Sequence, residues 1–456
     1  MRLMAPNDFI FLGLESREHP MHVGGLELFT LPDGAGEDFA RQIHTELIST
    51  PEIAPTFRRR PGTPLNTLRN LTWIEDADVD LEYHVRLSAL PRPGRIRELF
   101  EATSLWHSAL LDRHRPLWEM NIVEGLSDGR LAVYTKIHHS LVDGVSALRL
   151  LQKSLSDDPS DEHLAAPFAP RTSKRSKPGR SMNPLSLAKT GLGLTGDVAG
   201  SVPAAYRIGR QIMRERDIPL PLRAPRSMFN VPIGGARRFA AQSWPIARLK
   251  GVASSLGCTL NDVVLGMCGG ALREYLIAQN ALPDKPLIAF VPVSLHALTG
   301  DSDGGNAVSL VMASLGTNED DPLARMKAIR RSMGQAKEMV SGLSPLQAIA
   351  LGATLAGPFA LSSVSGLSSI TPPTFNVIIS NVPGPKKPLY WNGARLDGIY
   401  PASIVMDGLA LNITLTSNGD TLDFGILGCR QSVPHLQHLL RYLDESLTAL
   451  EHAAGL

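Results

Sequence analysis

The hydrophobic and polar positions follow two different periods along the chain, and together they predict both strands and helices. In the first half, apolar runs of strand length lie at 20–29, 120–124 and 130–135. Apolar residues at helical spacing lie at 38–47, 96–111 and 145–155. The second half repeats this mixture, with strands predicted at 287–293, 307–315, 375–379, 411–416 and 421–428 and helices at 259–279, 322–339 and 434–450. Strands mixed with helices in both halves predict a fold of the α/β class, built as α+β layers.

A change of composition separates the two halves. Residues 157–181 are rich in proline, serine and charge, and 171–180 (RTSKRSKPGR) hold five basic residues and no acidic one. We therefore predict an N-terminal domain at 1–156, a linker with a helical segment at 157–225, and a C-terminal domain at 226–456. The basic stretch is either a solvated linker or a segment attracted to an anionic membrane surface.

Composition excludes several classes of protein. The chain has 456 residues, 43% of them hydrophobic, and a formal net charge of +1, which gives no reason to expect a nucleic-acid partner. Its three cysteines are too few for a disulfide framework. The N-terminus lacks the features of a secretory signal, so we expect a cytoplasmic protein. Residues 339–385 carry no charge, but glycines and prolines interrupt them, which favours a buried or lipid-facing helix pair over a membrane span.

The candidate chemistry lies at 136–144, KIHHSLVDG, between a predicted strand and a predicted helix. His138 and His139 stand at this turn, and histidine can take up and return a proton near neutral pH. Asp143 is placed to cap the helix, and Gly144 permits a close approach. Two buried core histidines or a metal site are the alternatives. No third ligand lies at zinc-like spacing, so we expect no metal.

The spacing His-His-x-x-x-Asp-Gly resembles the active-site signature of the coenzyme A-dependent acyltransferase superfamily. Further segments resemble the bacterial wax ester synthase/acyl-CoA:diacylglycerol acyltransferase family within it, in the same order: PMHVG at 20–24, PLWE at 116–119, ND at 261–262, SNVPGP at 380–385 and PLYWNGA at 388–394. The resemblance runs from about residue 4 to 450. It implies two domains like chloramphenicol acetyltransferase, with the active-site tunnel between them.

The resemblance also implies an activity. It is the transfer of a long-chain fatty acyl group from acyl-CoA to a fatty alcohol, giving a wax ester, or to diacylglycerol, giving triacylglycerol. His139 would be the general base without a covalent intermediate, and His138 and Asp143 would hold the site in place. No cofactor is expected, because the coenzyme A thioester is a substrate. Such an enzyme would associate peripherally with the inner membrane or with lipid inclusions.

Substrate-binding roles are expected for residues in three of these segments, namely Gly144, Asn261, Asp262, Pro116, Leu117 and Trp118. Structural alternatives stand beside the roles of Asn261, Asp262 and Trp118. Thr259 and Asp262 match a helix capping box, in which Asp262 would only secure the helix. The functional role considered for this segment is that the Asn261 amide donates a hydrogen bond to an oxyanion. Trp118 would line the acyl or alcohol channel, or pack in the core.

One position departs from the pattern, and other functions compete. His296 follows VPVSL at 291–295, where the family usually has arginine, and imidazole cannot replace a bidentate guanidinium contact. The chain could instead be another acyltransferase of the superfamily, such as a condensation enzyme. It could also be a catalytically silent protein of lipid-droplet or membrane surfaces.

Overall fold

The computed structural model describes residues 2–62, 72–170, 221–294, 308–340, 345–364 and 370–456. The strands are β1 Arg2–Leu3, β2 His22–Thr30, β3 Arg59–Pro61, β4 Thr72–Glu75, β5 Val85–Ala89, β6 Trp118–Glu124, β7 Leu131–His138, β8 Arg237–Pro245, β9 Ile288–Ser294, β10 Val308–Ser314, β11 Val377–Val382, β12 Tyr390–Trp391, β13 Ala394–Ala402, β14 Leu411–Asn418 and β15 Thr421–Cys429. The helices are α1 Pro6–Leu14, α2 Phe39–Ile48, α3 Leu81–His84, α4 Ile96–Ser108, α5 Gly144–Gln152, α6 Ile246–Ser255, α7 Leu260–Ala278, α8 Pro322–Val340, α9 Pro345–Val364 and α10 His438–Ala453, with a 3₁₀ turn at Pro55–Arg58.

Two six-stranded sheets carry the fold. The first has the order β12-β13-β2-β7-β6-β5, and the second has the order β10-β9-β11-β14-β15-β8. A small sheet, β1-β4-β3, stands apart from both. Most neighbouring strands are antiparallel, but β5 and β6, β9 and β11, and β11 and β14 are parallel. The mixed α/β architecture predicted from the sequence is confirmed.

The strand β7 lies in the middle of the first sheet and is buried along its whole length. It pairs antiparallel with β2 on one side and with β6 on the other. Side chains of a strand alternate between the two faces of the sheet. Leu131, Val133 and Ile137 therefore join one apolar cluster, and Ala132 and Tyr134 join the other.

Two strands from the second half of the chain, β12 and β13, complete the first sheet. β13 pairs with β2 over the register Arg395–Thr30 to Ala402–Gly24. Its end crosses close to the second sheet, where Gly425 of β15 lies against the Pro401 carbonyl oxygen so tightly that a Cβ atom would collide with it. The chain therefore crosses from the first sheet to the second near residue 402. The domain limits at 156 and 226 stay predictions.

The predicted elements are largely confirmed, with differences at their ends. The strand predicted at 130–135 extends to His138, because pairing with β2 continues to His22. The short helices α1 and α6 were not predicted. The uncharged region contains the helix Pro345–Val364, which includes Pro358. The basic stretch 171–180, the helical segment of the linker and His296 lie outside the described residues.

Across the described ranges, no single helix has both the length and the hydropathy needed to span a membrane. One consecutive pair, α6 and α7, meets both criteria when taken together, but its two helices are bent by 102°.

The Trp118 side chain is part of the core of the first half. It is 1% exposed, and its ring stacks on His84 and Phe168 at centroid distances of 4.5 and 5.0 Å. Its indole N–H donates to the Phe57 carbonyl oxygen at 2.9 Å. This environment combines a large apolar contact area with a satisfied polar group, as expected of a structural tryptophan.

We predict that Trp118→Ala destabilises the protein by about 3–5 kcal/mol, because it leaves a large cavity in a packed core. Trp118→Phe, which keeps most of the ring packing, is the matched variant and loses less. Thermal unfolding followed by far-ultraviolet circular dichroism measures both. An alanine variant with the melting temperature of the wild type would contradict the structural role.

Candidate active site

The turn between β7 and α5 positions the two adjacent histidines. Asp143 is the N-cap of α5, and its carboxylate accepts from the Ser146 backbone N–H at 2.8 Å and from the Ser146 hydroxyl at 3.0 Å. These bonds satisfy a free N–H at the start of the helix and fix the direction in which it leaves the turn. The predicted capping role of Asp143 is confirmed.

The two imidazole rings have different surroundings. The His138 ring is fully buried and is absent from the cavity wall. Its Nδ1 accepts from the Ser140 backbone N–H at 3.1 Å, and its Nε2 lies 3.3 Å from the Glu15 carboxylate. Nδ1 is thus turned toward the backbone of the turn, and Nε2 is turned toward Glu15. His138 is thus part of the support behind the turn.

The Glu15 carboxylate joins this support to α1. Burial opposes its ionisation, but His138 and Arg113 outweigh burial and lower the pKa of Glu15. Arg113 lies 3.0 Å from one carboxylate oxygen, and the Met21 backbone N–H donates to the other at 3.3 Å. The Met21 carbonyl oxygen in turn accepts from the His139 backbone N–H at 2.8 Å. Glu15 therefore contacts the segments that hold both histidines.

The His139 ring lines the main cavity. Phe11 of α1 stacks on it with a centroid distance of 4.1 Å and an interplanar angle of 26°. Burial lowers the pKa of His139 to about 4, and His138 adds to this, whereas the negative charge of Asp143 opposes it. An imidazole with such a pKa is neutral at pH 7, so one of its ring nitrogens has a lone pair free to accept a proton.

The cavity has a volume of about 770 Å³ and lies between the two large sheets. One wall comes from the first sheet and α5, with Val23, Gly25, Thr135, Ile137, Leu148 and Leu151. The facing wall comes from the second sheet, with Phe290, Leu310, Ile378, Ser380, Val382 and Thr414. Apolar side chains dominate both walls, and a few hydroxyl groups are placed among them. This is the usual composition of a site for a largely apolar small molecule.

Of the residues expected at the site, His139, Asp143 and Gly144 come together on the cavity wall. A Cβ atom at Gly144 would meet only Val23 Cγ1, at 3.9 Å, so this glycine leaves space beside the turn.

Pro116, Leu117 and Trp118 do not line this cavity. All three are buried, Leu117 in a small cluster with Leu12 and Leu111. Of the two alternatives given for Trp118, the structure shows the core position, because β6 directs its ring into the core.

Asn261 and Asp262 also lie away from the cavity wall, in the first turn of α7. The Asp262 carboxylate accepts from the Thr259 backbone N–H at 3.0 Å, and the Thr259 hydroxyl oxygen accepts from the Asp262 N–H at 3.2 Å. This reciprocal pair is the capping box that the sequence offered as the structural alternative. The oxyanion role considered for Asn261 has no support in the geometry of this cavity.

Sequence reasoning missed Glu15, Phe11 and Met21 as parts of the site. All three are distant from the histidines along the chain, and Phe11 belongs to a segment whose apolar residues have no distinctive spacing. The segment PMHVG at 20–24 did carry a signal, because Met21 supplies the carbonyl oxygen that holds His139.

Family models and known protein sequences match this chain over most of its length. A family model described as the wax ester synthase/diacylglycerol acyltransferase catalytic domain matches residues 4–264, and the model of the corresponding C-terminal domain matches 304–451. A probable diacylglycerol O-acyltransferase of Mycobacterium tuberculosis is 51% identical over the full length of both chains. The O-acyltransferase WSD of Acinetobacter baylyi is 44% identical over 99% of this chain and 97% of its own.

Two solved structures are similar to this chain. The wax ester synthase/diacylglycerol acyltransferase from Marinobacter aquaeolei superposes with a TM-score of 0.81 at 42% identity, over all of both chains. A starter condensation domain of rhizomide synthetase superposes with a TM-score of 0.54 at 12% identity, covering 100% of this chain and 94% of its own. The second likeness concerns the fold alone.

We predict that Phe11→Ala raises the pKa of His139 from about 4 toward 6.5, by roughly one to two units, because water then reaches the ring and stabilises its charged form. Titration of the imidazole by NMR measures the shift. Phe9→Ala is the matched control, since Phe9 lies on the same helix and is 42% exposed. Equal His139 titration curves in the two variants would contradict this account of the low pKa.

Proposed function

This chain belongs to the wax ester synthase/diacylglycerol acyltransferase family, and we propose that it transfers a long-chain fatty acyl group from acyl-CoA to a fatty alcohol or a diacylglycerol, with His139 as general base. The observation that carries the proposal is the neutral His139 ring on the wall of an apolar cavity between the two sheets. The chain is an acyltransferase by family, and the cavity suits its lipid substrates.

The reaction requires a general base and a cavity from which water is excluded. His139 accepts the proton of the acceptor hydroxyl while its oxygen attacks the thioester carbonyl carbon. The new C–O bond forms, the C–S bond breaks, and the imidazolium returns its proton to the departing thiolate. A thioester is already activated, so no covalent enzyme intermediate is required. A positioned base of this kind contributes roughly 10²–10⁴-fold.

The cavity walls account for the lipid part of both substrates. Phe290, Leu310 and Ile378 of the second sheet offer apolar surface to an acyl chain. Each methylene group removed from water contributes about 0.8 kcal/mol. Binding of this kind does not depend on polar contacts, so several chain lengths are expected to bind well.

We also propose a peripheral association with the inner membrane or with lipid inclusions, where these substrates dissolve. The support comes from α1, whose Phe11 covers His139 while Phe9 and Ile10 are 42% and 51% exposed. Leu3, just before this helix, is 74% exposed. Apolar side chains exposed next to the catalytic cavity are typical of a surface that contacts lipid.

We predict that His139→Ala lowers acyl transfer from palmitoyl-CoA to hexadecanol by roughly 10²–10⁴-fold, because the general base is lost. Release of free thiol and formation of ester are both measured. His114→Ala is the matched control, since His114 is exposed and remote from the cavity wall. If neither wild type nor His139→Ala transfers acyl groups above the rate without protein, a catalytically silent surface protein is favoured, and equal rates above it would overturn the role of His139.

We predict that hexadecanol and a diacylglycerol are both acylated and that each lowers the yield of the other product, because both hydroxyls must reach the same imidazole. Purified protein is incubated with palmitoyl-CoA and the two acceptors together, and the esters are separated by chromatography. If neither acceptor is acylated with any long-chain acyl-CoA, the substrate assignment is wrong.

A further inference from the structure

A second cleft, of about 690 Å³, opens at the C-terminal end of α5. Its wall includes Lys153 directly after the helix and Lys386 and Lys387 after β11. Asp157 and Asp161 belong to the same wall. We call this space the lysine cleft.

The lysine cleft and the His139 cavity share two structural elements. α5 gives Leu148 and Leu151 to the cavity, and the residues that follow it, from Lys153 to Asp157, line the cleft. β11 gives Ile378, Ser380 and Val382 to the cavity, and its continuation at 385–387 lines the cleft. The two spaces therefore lie one after the other along the same pair of elements.

The charges in the lysine cleft are only partly compensated. The Lys387 ammonium forms an ion pair with Asp157 at 3.1 Å. Within the described parts of the chain, Lys153 and Lys386 form no ion pair with a carboxylate. Lys153 and Lys386 are both exposed, and they line a space large enough for a polar group of a ligand. Ammonium groups of this kind bind phosphate as point charges.

The distance between the two spaces suits one ligand in particular. α5 contains nine residues, which gives a length of about 13 Å at 1.5 Å per residue. In coenzyme A, the long pantetheine arm separates the thioester from the diphosphate and the 3′-phosphate. A thioester beside His139, with its arm extended along α5, brings these phosphates to the far end of the helix.

We propose that the lysine cleft binds the phosphate groups of the acyl-CoA donor through Lys153 and Lys386. This inference rests on the proposed function, since it assigns a subsite for the donor of that reaction. It divides donor recognition into two parts. The acyl chain is bound by apolar contacts in the cavity, and the nucleotide end is bound by charge at the surface.

The test compares two thioester donors, one with the phosphorylated nucleotide end and one without it. Palmitoyl-CoA and S-palmitoyl-pantetheine are each given to the full chain with hexadecanol as acceptor. For Lys153→Gln/Lys386→Gln, we expect the KM for palmitoyl-CoA to rise about tenfold and kcat to stay within about twofold of the wild type. The KM for S-palmitoyl-pantetheine stays unchanged, which also shows that the variant is folded.

The matched control is Lys250→Gln/Lys285→Gln, which removes two exposed lysines that do not line either space. It has the same net charge as the test variant, so it corrects for any general attraction of the anionic donor. In the wild type, added salt raises the KM for palmitoyl-CoA, because screening weakens exposed charge pairs. In the test variant this salt dependence is smaller than in the control.

The outcomes separate the two proposals. If the wild type transfers no acyl group from either donor, the proposed function fails. If it transfers from palmitoyl-CoA, but the test and control variants have the same KM for this donor, only the lysine cleft assignment is overturned. That assignment is also overturned if the test variant keeps its KM but loses binding to vesicles of anionic phospholipid, because the lysines then bind lipid headgroups.

Discussion

The antiparallel pairing of β2 with β7 is the constraint on which the site depends. Its register runs from Phe29–Leu131 to His22–His138, and one further hydrogen bond joins the Met21 carbonyl oxygen to the His139 N–H. A register shift of one residue would exchange the two faces of β7. It would therefore move Thr135 and Ile137 away from the cavity and turn the opposite face of the strand, with Ala132 and Tyr134, toward it.

The polar contacts at the turn hold the His139 ring in position, and the ring stays neutral. Glu15 contacts the His138 ring, and Asp143 caps α5, so neither carboxylate forms an ion pair with His139. Phe11 covers one face of the His139 ring instead. The result is a base whose pKa is lowered by burial, at the point where the cavity between the sheets reaches the turn.

The sequence was most reliable where one short segment determines its own structure. The HHxxxDG turn, the Asp143 cap and the capping box of Thr259 and Asp262 all depend on residues within a few positions of one another. It left the position of Trp118 open, since a buried strand residue can face either the core or a cavity and the sequence does not distinguish the two. The fold class followed from the alternation of strands and helices, whereas the crossing of β13 into the first sheet had no local signal.

The sequence by itself determined the α/β character, the strand-to-helix turn with its two histidines, and the family to which the whole set of segments belongs. Local hydrogen bonds and the period of apolar residues fix these features, and both can be read from neighbouring residues. Only the tertiary structure decided which imidazole faces the cavity, that Phe11 stacks on it, and that Asn261 and Trp118 stay away from it. These contacts join residues far apart in the chain, because the cavity exists only where two sheets from different halves come together.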